Sequence, residues 1–209
     1  MSKISSNAHF PQAKEVLAFW LQDGMQLGWP SQDPTPRWFR GGVALDQEIR
    51  TRFGPLVQEA QARGLPTWAD LPLDRLALVI LLDQFSRNVF RGKPMAFAGE
   101  ARAQLLVMDA CAKGWDSQLP LAGRVFMYLP LMHAEDLRLQ DHCVRAIEAA
   151  LEAAPPKHRT DVQTFLKSAI KHRDIIAKFG RFPHRNETLG RTPTAGEQGF
   201  LRTGPRFGQ

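Results

Sequence analysis

The sequence is poor in the features that usually identify a protein. It holds two cysteines in 209 residues, Cys111 and Cys143. Two cannot make a disulfide framework, and both sit in helix-like apolar stretches, so reduced core thiols of a cytosolic protein are expected. No segment alternates apolar and polar residues over strand length, which argues against a sheet. The longest apolar run, Leu76 to Leu82, is far short of the ~20 residues a membrane span needs. The N-terminal MSKISSNAHF lacks the apolar core of a signal peptide. There is no Gly-rich phosphate loop, no GxSxG, no HExxH and no zinc-type Cys/His spacing, so no cofactor and no metal is implied. No internal repeat is visible.

What is present is ordinary globular composition, 44% hydrophobic and 23% charged, in a chain long enough to bury a core without staples. One domain spanning 1–209 is expected, with 1–9 and 203–209 frayed. The net charge of +6 is uneven. Residues 157–209 hold 11 Lys/Arg against 4 Asp/Glu, whereas residues 1–156 hold 16 against 17. The basic excess lies wholly in the C-terminal quarter and points to an anionic partner.

Helical spacing recurs along the chain. Residues 11–23 open on Pro11 and carry a broad apolar face. A connection over 24–42 contains Trp29, Trp38 and Phe39, and a loop that long is often functional. Residues 43–63 resume the helix, which Pro55 should kink or split. From Pro72 a helix apolar all round should lie at the centre, ending in a polar group after Leu82. Residues 94–113 follow, with Phe97, Ala101, Leu105, Met108 and Ala112 on one side. Then come 120–131, 131–154 and 157–179, the last ending at Gly180 as a left-handed cap. Thr194 to Glu197 has the pattern of a capping box. The expectation is an all-α domain of antiparallel helix pairs.

Three polar clusters interrupt these helices. The first is Asp83, Gln84, Arg87, Asn88 and Arg91. The second is Tyr128, His133, Glu135, Asp136 and Gln140, in which His133, Asp136 and Gln140 should share one helix face. The third is His172, Arg173, Arg181, His184, Arg185, Asn186 and Arg191. The first and third contribute six Arg, but all three clusters contain only Asp83, Glu135 and Asp136 as carboxylates. Surplus guanidinium groups suit a small anion, phosphate or carboxylate. On this reading His133 and Asp136 are the acid/base candidates. A rival reading makes the same clusters ion-paired locks that fasten a helical protein-interaction module. A third would have the basic C-terminal quarter bind nucleic acid, although no nucleic-acid motif appears.

The segments LLDQFSRNVFRG, YLPLMHAEDLRLQ and FGRFPHRNETLGR, with FW at 19–20 and RWF at 37–39, resemble the bacterial domain-of-unknown-function family 924. The resemblance runs in order from about residue 14 to 202. It implies an all-helical, tetratricopeptide-like fold and gives no catalytic role to carry over.

Overall fold

The computed structural model describes residues 9–205. Most of the two ends expected to fray, 1–8 and 206–209, therefore lies outside the described residues. Among those described there are helices and no strands.

The centre is a helix that starts at Pro72, where a missing N–H costs nothing. Helix α5, Pro72–Ile80, buries eight consecutive side chains from Leu73 to Ile80. It continues through one π-helical turn, Leu81–Phe85, into a last turn at Ser86–Val89. Numbered in chain order, its neighbours are α1 (Pro11–Leu21), α2 (Gly24–Leu27), α3 (Thr35–Trp38) and α4 (Val43–Gln61). The turn at Ser86–Val89 is α6. It is followed by α7 (Glu100–Ala112), α8 (Leu121–Met132), α9 (Leu137–Glu152), α10 (Arg159–Phe179) and α11 (Ala195–Leu201). Helices α1, α7 and α8 pack on α5, while α4 packs on the π-turn and α6. Helix α9 lies between α8 and α10.

An aromatic cluster ties these layers together. Trp20 of α1 meets Phe85 edge-on at 5.4 Å, and Phe53 of α4 lies 4.9 Å from the same ring. Aromatic pairs in this geometry add to simple area burial. A smaller apolar group, Ile175, Ile176 and Phe182, receives Phe179 and Phe200 and seats the C-terminal segment.

Several expectations change. The 24–42 connection contains α2 and α3, and Trp29 and Trp38 are buried there, whereas Phe39 is 57% exposed. Helix α4 runs through Pro55 as one element, so the proline does not split it. In α7 the buried face is Ala103, Val107 and Ala110, and Leu105 is 74% exposed. The cause is a close approach just before that helix. A Cβ on Gly99 would stand 2.6 Å from the Leu82 carbonyl oxygen. That contact, together with the small side chains of Ala103 and Ala110, sets the rotation of α7 against the central helix.

The helix expected over 131–154 begins only at Leu137. Helix α8 stops at Met132, and Asp136 caps α9 by accepting the Arg138 N–H at 2.8 Å. Asp prefers this position because its short carboxylate satisfies an orphan N–H that would otherwise stay bare. His133, Asp136 and Gln140 therefore do not share a helix face. The capping box at Thr194–Glu197 and the left-handed Gly180, φ 70°, are as expected.

Candidate functional site

A cleft of about 590 Å³ opens where α1, α3, the start of α4, the π-turn, α8 and α10 meet. Trp38, Phe39, Leu129, Met132 and Phe165 give it apolar walls. Arg37, Arg40, Arg87, Arg91, His133 and His172 face the same space.

Each polar wall has a local cause. Helix α3 delivers Arg37, whose guanidinium stacks 4.3 Å over Phe19, and Trp38, whose Nε1–H donates to the Trp20 carbonyl at 2.9 Å. The π-turn delivers Asp83 and Gln84, and α6 right after it delivers Arg87. In a π-turn the donor comes from five residues on, and here the Leu81 oxygen accepts from the Ser86 N–H and also from the Ser86 hydroxyl at 3.0 Å. Asp83 is 2% exposed, with its two oxygens 2.8 and 3.0 Å from His133 Nδ1. Burial raises its pKa, but His133, Arg87 and Gln84 outweigh that, and the carboxyl stays ionised. Burial and then the Arg87 charge lower the pKa of His133. His172, held through Nδ1 to the Ser168 carbonyl at 2.7 Å, is lowered to about 3 by burial and by His133. His172 is thus neutral at neutral pH, and His133 is harder to protonate than a free imidazole.

Arg91 grips Asp46 through two bonds of 2.6 and 2.8 Å, and Asn88 donates to the same carboxylate at 2.8 Å. Burial raises the pKa of Asp46, but those bonds bring it below the ordinary carboxylate value. Four buried N–H donors on residues that line the cleft have no acceptor in the protein: Trp20 Nε1, Arg37 Nε, Arg37 Nη1 and Arg87 Nε.

Residues 16–205 match a family described as bacterial protein of unknown function, DUF924. The chain belongs to the DUF924 family. A solved structure of a protein of unknown function from Agrobacterium tumefaciens is similar to this DUF924 chain at 34% identity and TM-score 0.74. The match covers 92% of this chain and 98% of that one. No curated protein matches the chain.

In this DUF924 chain the cleft gathers Gln84, Arg87, Asn88, Arg91, His133 and His172 from the three clusters, with Asp83 directly behind His133. The remaining residues of the three clusters lie elsewhere. Asp136 is an N-cap bound to Arg138, and the carboxylate on His133 is Asp83. The expected His133–Asp136 pair is corrected accordingly. Gln140 is fully buried, donating to the carbonyls of Met132 and Ala134 at 2.6 and 2.8 Å, and so braces the α8–α9 turn. Tyr128 donates to Asp116 at 2.6 Å, on another face of α8.

The C-terminal residues form a lock beside the cleft. Arg181 pairs with Glu197 at 2.6 and 2.8 Å. Arg191 pairs with Glu135 at 2.6 and 3.0 Å and also binds Asn186 and the Phe182 carbonyl. Arg185, 3% exposed, donates to Glu100 at 3.0 Å and to the His133 carbonyl at 2.9 Å, between the rings of Phe97 and Phe182. His184 packs against Phe182, and burial followed by the Arg185 charge lowers it to about 3.

The surplus of six Arg over three carboxylates does not survive. Glu100, Asp46 and Glu197 complete the pairing of Arg87, Arg91, Arg181 and Arg185, while Arg173 pairs with Asp174 at 2.9 Å. Sequence reasoning also missed Trp20, Arg37 and Arg40 as cleft residues. For Arg37 and Arg40 the signal was the long aromatic connection over 24–42. Among the described residues no group of three His, Cys, Asp or Glu is placed to hold a metal ion, and no helix is long and apolar enough to cross a membrane.

Proposed function

We propose that the cleft binds a small anion, a phosphate or carboxylate, carried on an apolar body. The observation behind this reading is the set of four buried donors on Trp20, Arg37 and Arg87 without protein acceptors. A buried donor left unsatisfied costs about 1–3 kcal/mol. Four in one cleft, two of them on one guanidinium, match the oxygens of an oxyanion better than any neutral apolar ligand. The aromatic walls of Trp38, Phe39 and Phe165 suit the remainder of such a molecule, and the volume falls in the range of small-molecule sites.

The C-terminal cluster supports the other reading, a structural lock, for its own residues only. Arg181, Arg185 and Arg191 each end on a carboxylate.

Calorimetric titration with inorganic phosphate and with benzoate tests the proposal. Both anions should bind and raise the thermal midpoint. Arg37→Ala should weaken them about tenfold while leaving the stability of the free protein within ~0.5 kcal/mol. Equal affinity in wild type and variant, or no binding of either anion, would overturn it.

A further inference from the structure

We propose that His133 and Asp83 form the proton-transfer unit of this cleft, in which His133 takes a proton from an O–H of the bound oxyanion and Asp83 positions the ring. The proposal rests on the anion-binding reading and adds a chemical step to it.

The geometry is that of an oriented base. An ionised carboxylate can only accept, so the short contacts from both Asp83 oxygens place the imidazole proton on Nδ1. The lone pair is then on Nε2, at the opposite edge of a ring that lines the cleft. The backbone of His133 is itself held, since its carbonyl accepts from Arg185. A buried carboxylate is costly to keep, and Asp83 is among the most deeply buried charges in the chain. It sits inside the π-turn, an irregularity that often marks functional positions in helices.

The charges around His133 are known from every side. Asp83 and Arg87 come from the central helix, Glu100 from α7, His172 from α10, and His184 and Arg185 from the C-terminal segment. Arg87 is the nearby cation that most opposes protonation. An oxyanion on the Arg37 and Arg87 donors offsets that charge and makes Nε2 a stronger base. In the step itself the O–H bond of the ligand breaks and its electron pair stays on oxygen. The proton goes to the Nε2 lone pair. The new oxyanion charge faces Arg37 and Arg87, and the imidazolium charge faces Asp83. The ligand class is a phosphate or carboxylate that carries an ionisable hydroxyl or holds a water against its charged group.

Inorganic phosphate reads both ends of the transfer. The full chain, labelled with ¹⁵N-histidine, is followed by ¹⁵N and ³¹P NMR where free phosphate is mainly the monoanion. His133→Gln assigns the signal and keeps a donor for Asp83. Without phosphate, His133 should appear as the neutral Nδ1–H tautomer. With phosphate bound, its titration midpoint should rise by about a unit, a tenfold change in proton affinity, and the bound phosphate should shift toward the dianion. In Asp83→Asn phosphate should still bind, but the fixed Nδ1–H signature should be lost. Phosphate binding with an unmoved His133, or an Nε2–H tautomer in the free protein, overturns the proton-transfer unit alone. Absence of phosphate binding overturns the anion reading as well.

Discussion

In the cleft, Arg37 and Arg87 keep three buried N–H groups with no acceptor, and Trp20 adds a fourth. In the neighbouring lock, Arg181, Arg185 and Arg191 direct most of theirs at Glu197, Glu100 and Glu135, with Arg185 Nε left without an acceptor. The two regions have nearly the same composition of Arg, His and aromatic rings. What separates them is Arg37, which meets no carboxylate among the described residues, whereas Arg87 still faces Asp83 and Glu100. A guanidinium that meets a carboxylate is part of the fold, and one that meets none is available to a ligand. Glu100 joins the regions, because it accepts from both Arg87 and Arg185.

Acid should have the largest effect, and it sharpens the comparison because one buried histidine belongs to each region. His172 on the cleft wall and His184 in the lock are both lowered to about 3 from the ordinary 6.5. The unfolded chain therefore takes up protons that the fold refuses. The stability these groups contribute is complete above pH 6.5 and is lost progressively as the pH falls toward 3. Urea unfolding followed against pH should show this slope. His184→Phe should reduce it by about one proton, and an unchanged slope would show that His184 titrates normally in the fold.

Next in size is Glu100→Ala. It leaves Arg87 and Arg185, both largely buried, without their shared carboxylate, and should cost about 3–5 kcal/mol in chemical denaturation. A loss under ~1 kcal/mol would mean that the two regions are not coupled through it.

Arg191→Ala should cost less, about 2 kcal/mol, because the Arg191–Glu135 pair is partly solvated. Phosphate affinity should not change. Paired with Arg37→Ala, which should change affinity and not stability, it gives a double dissociation. If Arg191→Ala weakened phosphate as much as Arg37→Ala, the division into lock and cleft would fail.

The helices were readable because their apolar spacing, prolines and glycines act locally. Pro72 opens the central helix, Gly180 closes α10, and the Thr194–Glu197 box forms as its pattern implies. The polar positions were readable as clusters, since charges that interrupt apolar helices stand out. Their partners were not. Glu100 lies 85 residues from Arg185, and Asp46 lies 45 from Arg91. No periodicity reports a contact across such a separation, so a count of Arg against nearby carboxylates overstated the surplus. The His133–Asp136 pairing failed for a local reason. Spacing on an assumed helix cannot reveal that the helix stops at Met132 and that Asp136 starts the next one as its N-cap. The face of α7 failed for a tertiary one, the contact of Gly99 with Leu82.

The π-turn at Leu81–Phe85 makes the cleft sensitive to length as well as to chemistry. It accommodates one residue more than an α-helical turn would. Deleting a single residue there would let the helix close into regular α geometry and rotate everything after it by about 100°. Arg87, Asn88 and Arg91 would leave the cleft together, with their side chains unaltered. In this chain a one-residue change of register in the central helix would act as three simultaneous substitutions.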